Sequence, residues 1–290
     1  MKKVFQDPSR IRMALPNKGR LREPAITLLT RAGYVFRAKD RSLYATCAND
    51  QITFIFVRTE DIPVLVGSGV IDLGITGEDL VEEREAVVRT VLPLGFGRCR
   101  LCVAVDEGSA YHSPADLSGK VIATSFPKIA AAFFRKHGAE VRLVEMNGSV
   151  EVMTGLGLAE GIVDLVETGD SLKDNGLRIL SEIGSYQTSL IAHPGKADDP
   201  RIARVRRRVE GILIAEKYSL LEYNIPREKL GDAEKITPGY SSPTISDLED
   251  RAWVAVKVMV EKNRVAAVCD SLEAIGARAI LETAIQNCRL

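Results

Sequence analysis

The sequence predicts an α/β protein of two lobes followed by a smaller α+β unit. Three observations predict it. Strand-like apolar runs alternate with helical runs, the pattern of a parallel sheet with covering helices. The alternation restarts beyond Gly95-Phe96-Gly97, a glycine-bent segment suited to a hinge between lobes that enclose a cleft. From Ser219 onward the order changes to strand, helix, strand, strand, helix, strand.

Each element follows from local pattern. Residues 11–16 form a short strand ending at a turn. Residues 19–32 have helical spacing, with Leu21, Ala25, Leu28, Leu29 and Ala32 on one face, and Gly33 stops the run. Residues 52–57 are a second strand, 61–69 a short helix, and 72–77 a strand closed by a glycine turn. Strands at 87–94 and 100–105 flank the hinge. In the second lobe 120–124 is a strand, and Pro127 opens a helix to about His137, proline being tolerated in a first turn. Strands at 141–145 and 162–166 bracket a helix at 150–158. A strand at 189–193 runs back into the first lobe, followed by an arginine-rich helix ending near Lys217. The tail then shows strand 219–223, helix 227–233, segments 236–240 and 243–245 flanking a turn, the alternating run 253–260, amphipathic helix 262–275 ended by Gly276, and strand 277–283. That order is ferredoxin-like, a common ligand-binding or oligomerisation module.

Composition narrows the function. The 290 residues balance 39 Lys and Arg against 39 Asp and Glu, which argues against a general nucleic-acid or membrane binder. The cluster Arg201, Arg204, Arg206, Arg207 and Arg208 reads as a solvated helix face or a subunit contact. No apolar run reaches membrane-spanning length, and MKKVFQDPSR lacks the apolar region of a secretory signal. Five scattered cysteines suit a reducing cytoplasm, the expected location. Cys99 and Cys102 have C-x-x-C spacing but lie in a strand-like run with no second pair, so they read as buried thiols.

The sharpest chemical signal is the stretch from Asp164 to Leu172, DLVETGDSL. A strand ends there and a helical turn begins, so backbone N–H groups and a positive dipole end are on offer to a phosphate. Gly169 allows close approach, and Thr168 and Ser171 add hydroxyls. Glu167 and Asp170 would repel a phosphate that faced them, but they suit a ligand that also carries neutral hydroxyls or a magnesium ion. A ribose 5-phosphate has both parts. The alternative is a helix cap by Thr168 or Asp170, which needs no ligand. Other strand ends are polar too. Lys18 and Arg20 flank Gly19, Arg58 follows the second strand, Gly77 adjoins Glu78 and Asp79, and Thr124 to Lys128 opens a helix in the second lobe. Five such ends, from both lobes, describe a cleft lined for phosphates and hydroxyls. His112, His137 and His193 are far apart with no nucleophile motif beside them, and neither a P-loop nor a G-x-G-x-x-G pattern occurs.

With LPNKGRL, VRTEDIP, DLGITGED, ATSFPKI, the block 147–177, ITPGYSSPT and GARAIL in view, the chain resembles the long, self-regulated form of ATP phosphoribosyltransferase, nearly end to end. The resemblance implies a two-lobed core like periplasmic binding proteins and a C-terminal ACT-like domain. Residues 1–96 would be catalytic lobe I, completed by about 184–216, with 97–183 as lobe II and 217–290 as the regulatory domain. It implies that N1 of ATP attacks C1 of phosphoribosyl pyrophosphate (PRPP) and pyrophosphate leaves, the first step of histidine biosynthesis. Lys18, Arg20 and Arg58 are the expected catalytic cations. The PRPP loop would be Asp164, Glu167, Thr168, Gly169, Asp170, Ser171 and Leu172, with Gly77, Glu78 and Asp79 near the nucleotide. Mg²⁺ is the expected cofactor, its acidic contacts left open. Histidine would inhibit through Asn224, Tyr240, Ser242, Thr244 and Ala279, in a homo-oligomer ranging from dimer to hexamer. The competing reading is a two-lobed small-molecule binding protein without catalysis.

Overall fold

The computed structural model describes residues 7–38, 42–167 and 169–289. They form two compact units. One comprises the chain up to Thr30 and Tyr34–Arg204, the other Arg31–Gly33 and the chain from Val205.

The first unit holds two sheets. The first lobe runs β1 (Ile11–Pro16), α1 (Arg22–Arg31), β2 (Tyr44–Thr46), β3 (Ile52–Val57), α2 (Ile62–Gly67), β4 (Leu73–Gly77), α3 (Glu78–Glu83) and β5 (Arg89–Pro93). The second runs β6 (Cys99–Asp106), β7 (Val121–Thr124), α4 (Pro127–Lys136), β8 (Arg142–Glu145), α5 (Val152–Gly155), β9 (Gly161–Val166), α6 (Asp170–Asp174) and β10 (Leu177–Tyr186). β11 (Thr188–Ala192) then re-enters the first sheet, and α7 (Pro200–Lys217) follows. The sheet orders are β2-β3-β1-β4-β11-β5 and β10-β6-β9-β7-β8.

Neither sheet is purely parallel, as strand–helix alternation alone predicts. β1 is parallel to β3 and β4, and β7 to β8 and β9. Edge strand β2 is antiparallel to β3. The strands that enter each sheet from a crossing also run the other way: β11 is antiparallel to β4 and β5, and β6 to β9 and β10. A chain that leaves one sheet and returns to it forces this. The strands also read differently from the pattern at several points. β10 was not visible, because LRILSEIGSY is half-buried and mixes polar with apolar positions. α3, whose EDLVEE carries no apolar stripe, looked like a turn. The helix expected over 150–158 is short, ending at Gly155, and Gly157 turns at φ +67°. Central β1 is largely core: Met13, Ala14 and Leu15 are fully buried.

The second unit contains β12 (Tyr218–Pro226), α8 (Leu230–Ile236), β13 (Thr244–Asp247), β14 (Trp253–Glu261), α9 (Val265–Ala274) and β15 (Arg278–Ala284). The strands pair antiparallel in the order β13-β14-β12-β15, a ferredoxin-like sheet. Alternation sets its faces. Leu221, Tyr223 and Ile225 of β12 join Val254, Val256, Val258 and Val260 of β14 in a core with Ala233, Val265, Val268 and Leu272 of the helices. Glu222, Asn224, Ala255 and Lys257 fall on the opposite, open face by the same alternation.

Candidate functional site

Parallel strands end at a common edge, so each lobe presents its strand C-termini together. In the first lobe that edge carries Lys18 and Arg20 after β1, Arg58 after β3, and Gly77 to Asp79 after β4. Lys18 and Arg58 are exposed there. In the second lobe it carries residues 167–171 after β9. The two edges meet: the Arg20 guanidinium pairs with the Glu167 carboxylate across the lobes.

The loop after β9 is built on Gly169, which sits at φ +92° as the N-cap of α6. A side chain is strained at that angle, so glycine fits the turn. Of the two cap candidates, Asp170 is the first residue of α6 itself, and Thr168 lies outside the described residues. Ser171 Oγ donates to Glu151 Oε1 at 3.2 Å. The Leu172 side chain is 6% exposed, in the buried cluster with Val150 and Val166, so it anchors α6. Asp164 Oδ1 accepts the Leu165 N–H at 2.8 Å. Burial pushes its carboxyl up to about 6, opposed by that N–H, reinforced by Glu151 and opposed by Arg20.

The Arg20 charge also acts on Asp79 of the first lobe. Burial pushes the Asp79 carboxyl up, against the Leu80 N–H and the Arg20 charge. Burial likewise pushes the Cys99 thiol up, against a hydrogen bond from Arg20. One guanidinium thus answers Asp79, Asp164 and Glu167, three carboxylates drawn from both lobes.

The nucleotide candidates prove to have internal partners. The Asp79 side chain folds back over Gly77, where any Cβ would collide with its Oδ1. Glu78 Oε1 accepts from the buried Ser189 Oγ at 2.6 Å. Both acids therefore hold the start of α3 in place, a role the pattern did not reveal. The helix opening at Pro127 is not vacant for a phosphate either, because the N–H groups of Lys128 and Ile129 donate to Glu83. Nothing in the pattern points to Glu83, in an acidic run, and Glu151 lies within the block 147–177 with no local sign of its role.

The C-terminal candidates divide. Asn224, Thr244 and Ala279 line one groove of about 390 Å³ with Glu222, Ser246 and Lys257. Ala279 stands at φ +51°, at a register shift between β15 and β12, a strained backbone of the kind found at ligand sites. Tyr240 belongs elsewhere, in a cavity of about 210 Å³ with Tyr218, whose ring it meets edge-on at 6.3 Å. Ser242 lines neither and backs the turn at Gly239. Cys99 and Cys102 are buried and carry no disulfide, and three residues apart on a strand they point to opposite faces. Among the described residues no group of three or more His, Cys, Asp or Glu is placed to hold a metal, and no helix is long and apolar enough to cross a membrane.

Fold and site together define a two-lobed α/β protein whose cleft offers cations, carboxylates and a glycine-turned loop to a phosphorylated, hydroxyl-bearing ligand. Comparison with known proteins sharpens this. Residues 58–211 match the family described as ATP phosphoribosyltransferase, and residues 215–287 match its C-terminal domain. The ATP phosphoribosyltransferase of Rhodopirellula baltica is 49% identical over 98% of this chain and 95% of its own. A chain of the ATP phosphoribosyl transferase (HisG:HisZ) complex from Thermotoga maritima superposes with TM-score 0.63 at 29% identity, covering 70% of this chain and 97% of that one. Tv2483, solved bound to L-arginine, shares the fold at TM-score 0.51 and 17% identity, over 74% of this chain and 89% of its own. The core is thus of the periplasmic-binding-protein type. The chain belongs to the ATP phosphoribosyltransferase family.

Proposed function

We propose that the cleft joins ATP to PRPP through Lys18, Arg20, Arg58 and the loop 164–172. The chain is a phosphoribosyltransferase of histidine biosynthesis: it transfers phosphoribosyl from PRPP to N1 of ATP and releases pyrophosphate. The observation that carries the site reading is the Arg20–Glu167 pair, which joins the cationic edge of one lobe to the loop of the other.

The nucleophile comes from the substrate, so no Ser, Cys or His nucleophile is required. The protein's task is to align two polyanions and to meet charge as pyrophosphate departs. Gly169 leaves the backbone of Asp170 and Ser171 open to the 5-phosphate. Ser171, which donates to Glu151, exchanges that acceptor for the phosphate. The ribose hydroxyls take the Glu167 carboxylate and release Arg20 toward pyrophosphate, joining Lys18 and Arg58. Thr168 belongs to the same cradle.

The family uses a metal ion. The donor set fits Mg²⁺, which takes one or two carboxylates and otherwise substrate phosphates, and so needs no ready-made protein cage. Glu167 and Asp164 would hold it. Such an ion would neutralise the charge of the leaving pyrophosphate.

Further parts of this reading are regulatory. Histidine binds the groove of Asn224, Thr244 and Ala279, and the chain assembles as a homo-oligomer, dimer to hexamer, in the cytoplasm. Residues 1–96 with about 184–216 act as lobe I, 97–183 as lobe II and 217–290 as the regulatory domain. The test is incubation with ATP, PRPP and Mg²⁺, following the phosphoribosyl-ATP chromophore. Binding of either substrate without that chromophore would favour a binding protein without catalysis.

A further inference from the structure

Helix α4 opens with Pro127, and no side chain of its own N-cap, Phe126, satisfies the first turn. Its free N–H groups would ordinarily face water. Instead Glu83, at the end of α3 in the other lobe, takes both: Lys128 N–H donates to Oε1 and Ile129 N–H to Oε2, each at 3.0 Å. Glu83 is 6% exposed. Two contacts flank it. Lys128 Nζ pairs with Glu85, and Tyr186 Oη donates to Glu82 Oε2 at 2.9 Å. Tyr186 ends β10, one residue before the chain crosses back to the first lobe.

We infer that Glu83 is a positioning residue: it latches α3 onto the start of α4 and so fixes the angle at which the two lobes face each other. A carboxylate accepting two N–H groups at a helix N-terminus makes charge-assisted bonds with the dipole in its favour. Parting the lobes here would exchange both charge-assisted bonds for bonds to water. The latch and the Arg20–Glu167 pair are two separate contacts between the same two lobes. Holding the first sets the reach of the second. The consequence for PRPP rests on the proposed reaction, whereas the latch itself does not.

Two measurements on the full-length protein separate these. Hydrogen exchange at the Lys128 and Ile129 amides, usually fast in a first helical turn, is expected to be slow and to quicken at least about tenfold in Glu83→Gln. Fast exchange at both amides in the wild type overturns the latch. In steady-state kinetics Glu83→Gln is expected to raise the PRPP KM about tenfold with kcat changed by less than about threefold, and Glu83→Asp, which keeps the charge, to fall between. Quickened exchange with unchanged KM would leave Glu83 a purely structural cap and overturn the positioning role. If Glu83→Gln does not fold, Glu83→Asp carries both readings. A wild type with no transferase activity would defeat the proposed reaction, while the exchange result still decides the latch.

Discussion

Gly169 turns the loop at φ +92°, and a Cβ there would meet only Val166 Cγ1, at 3.9 Å. Gly169→Ala therefore strains the backbone without a clash. It should cost about 1 kcal/mol of stability in urea unfolding. PRPP affinity by calorimetry should fall at least about tenfold, because the added methyl stands where the phosphate approaches the N–H groups. Asp164 gives a pH signature. Its folded carboxyl is raised to about 6 by burial, so the folded protein holds this proton more tightly than the unfolded chain. The associated stability is present at acid pH and is lost as pH rises through about 6. Asp164→Asn, which keeps an acceptor for the Leu165 N–H, should match wild-type stability near pH 4. Above pH 7 it should exceed it by about 1–3 kcal/mol in urea titrations. Equal stability at both pH values would show that the carboxylate is not desolvated.

At the scale of elements, the open face of the C-terminal sheet is the feature with most consequence. Its groove brings together Asn224 on β12, Thr244 on β13 and Ala279 on β15, while Tyr240 sits in a different cavity. Thr244→Val should relieve histidine inhibition at least about tenfold and leave uninhibited turnover unchanged, since coupling between sites is typically about 1–3 kcal/mol. Tyr240→Ala should leave the inhibition curve within about twofold. Loss of inhibition in Tyr240→Ala with none in Thr244→Val would move the effector to the smaller cavity. Which elements the sequence revealed follows from physics. β1, β3 and β9 are buried runs with clear ends, and Gly33 and Gly276 stop their helices at positive φ. β10 and α3 were hidden because their burial comes from neighbours distant in sequence, not from their own periodicity. For the same reason the loop at 164–172 was legible as a motif, whereas its partners Arg20 and Glu151 become evident only when the chain folds.

At the scale of the whole molecule, the two lobes divide the labour. One contributes cations, the other the glycine-turned loop, and Arg20 with Glu167 and Glu83 with α4 hold them together. On the proposed reaction, those cations act more in the transition state than in the ground state, because pyrophosphate gains charge as it leaves. The most direct measurement is formation of phosphoribosyl-ATP from ATP, PRPP and Mg²⁺ by the wild type and by Arg58→Ala. The account predicts turnover in the wild type, and in Arg58→Ala a kcat lower by about tenfold to a thousandfold with ATP affinity within about threefold. A wild type that binds both substrates without forming the product, or an Arg58→Ala enzyme with unchanged kcat, would contradict it.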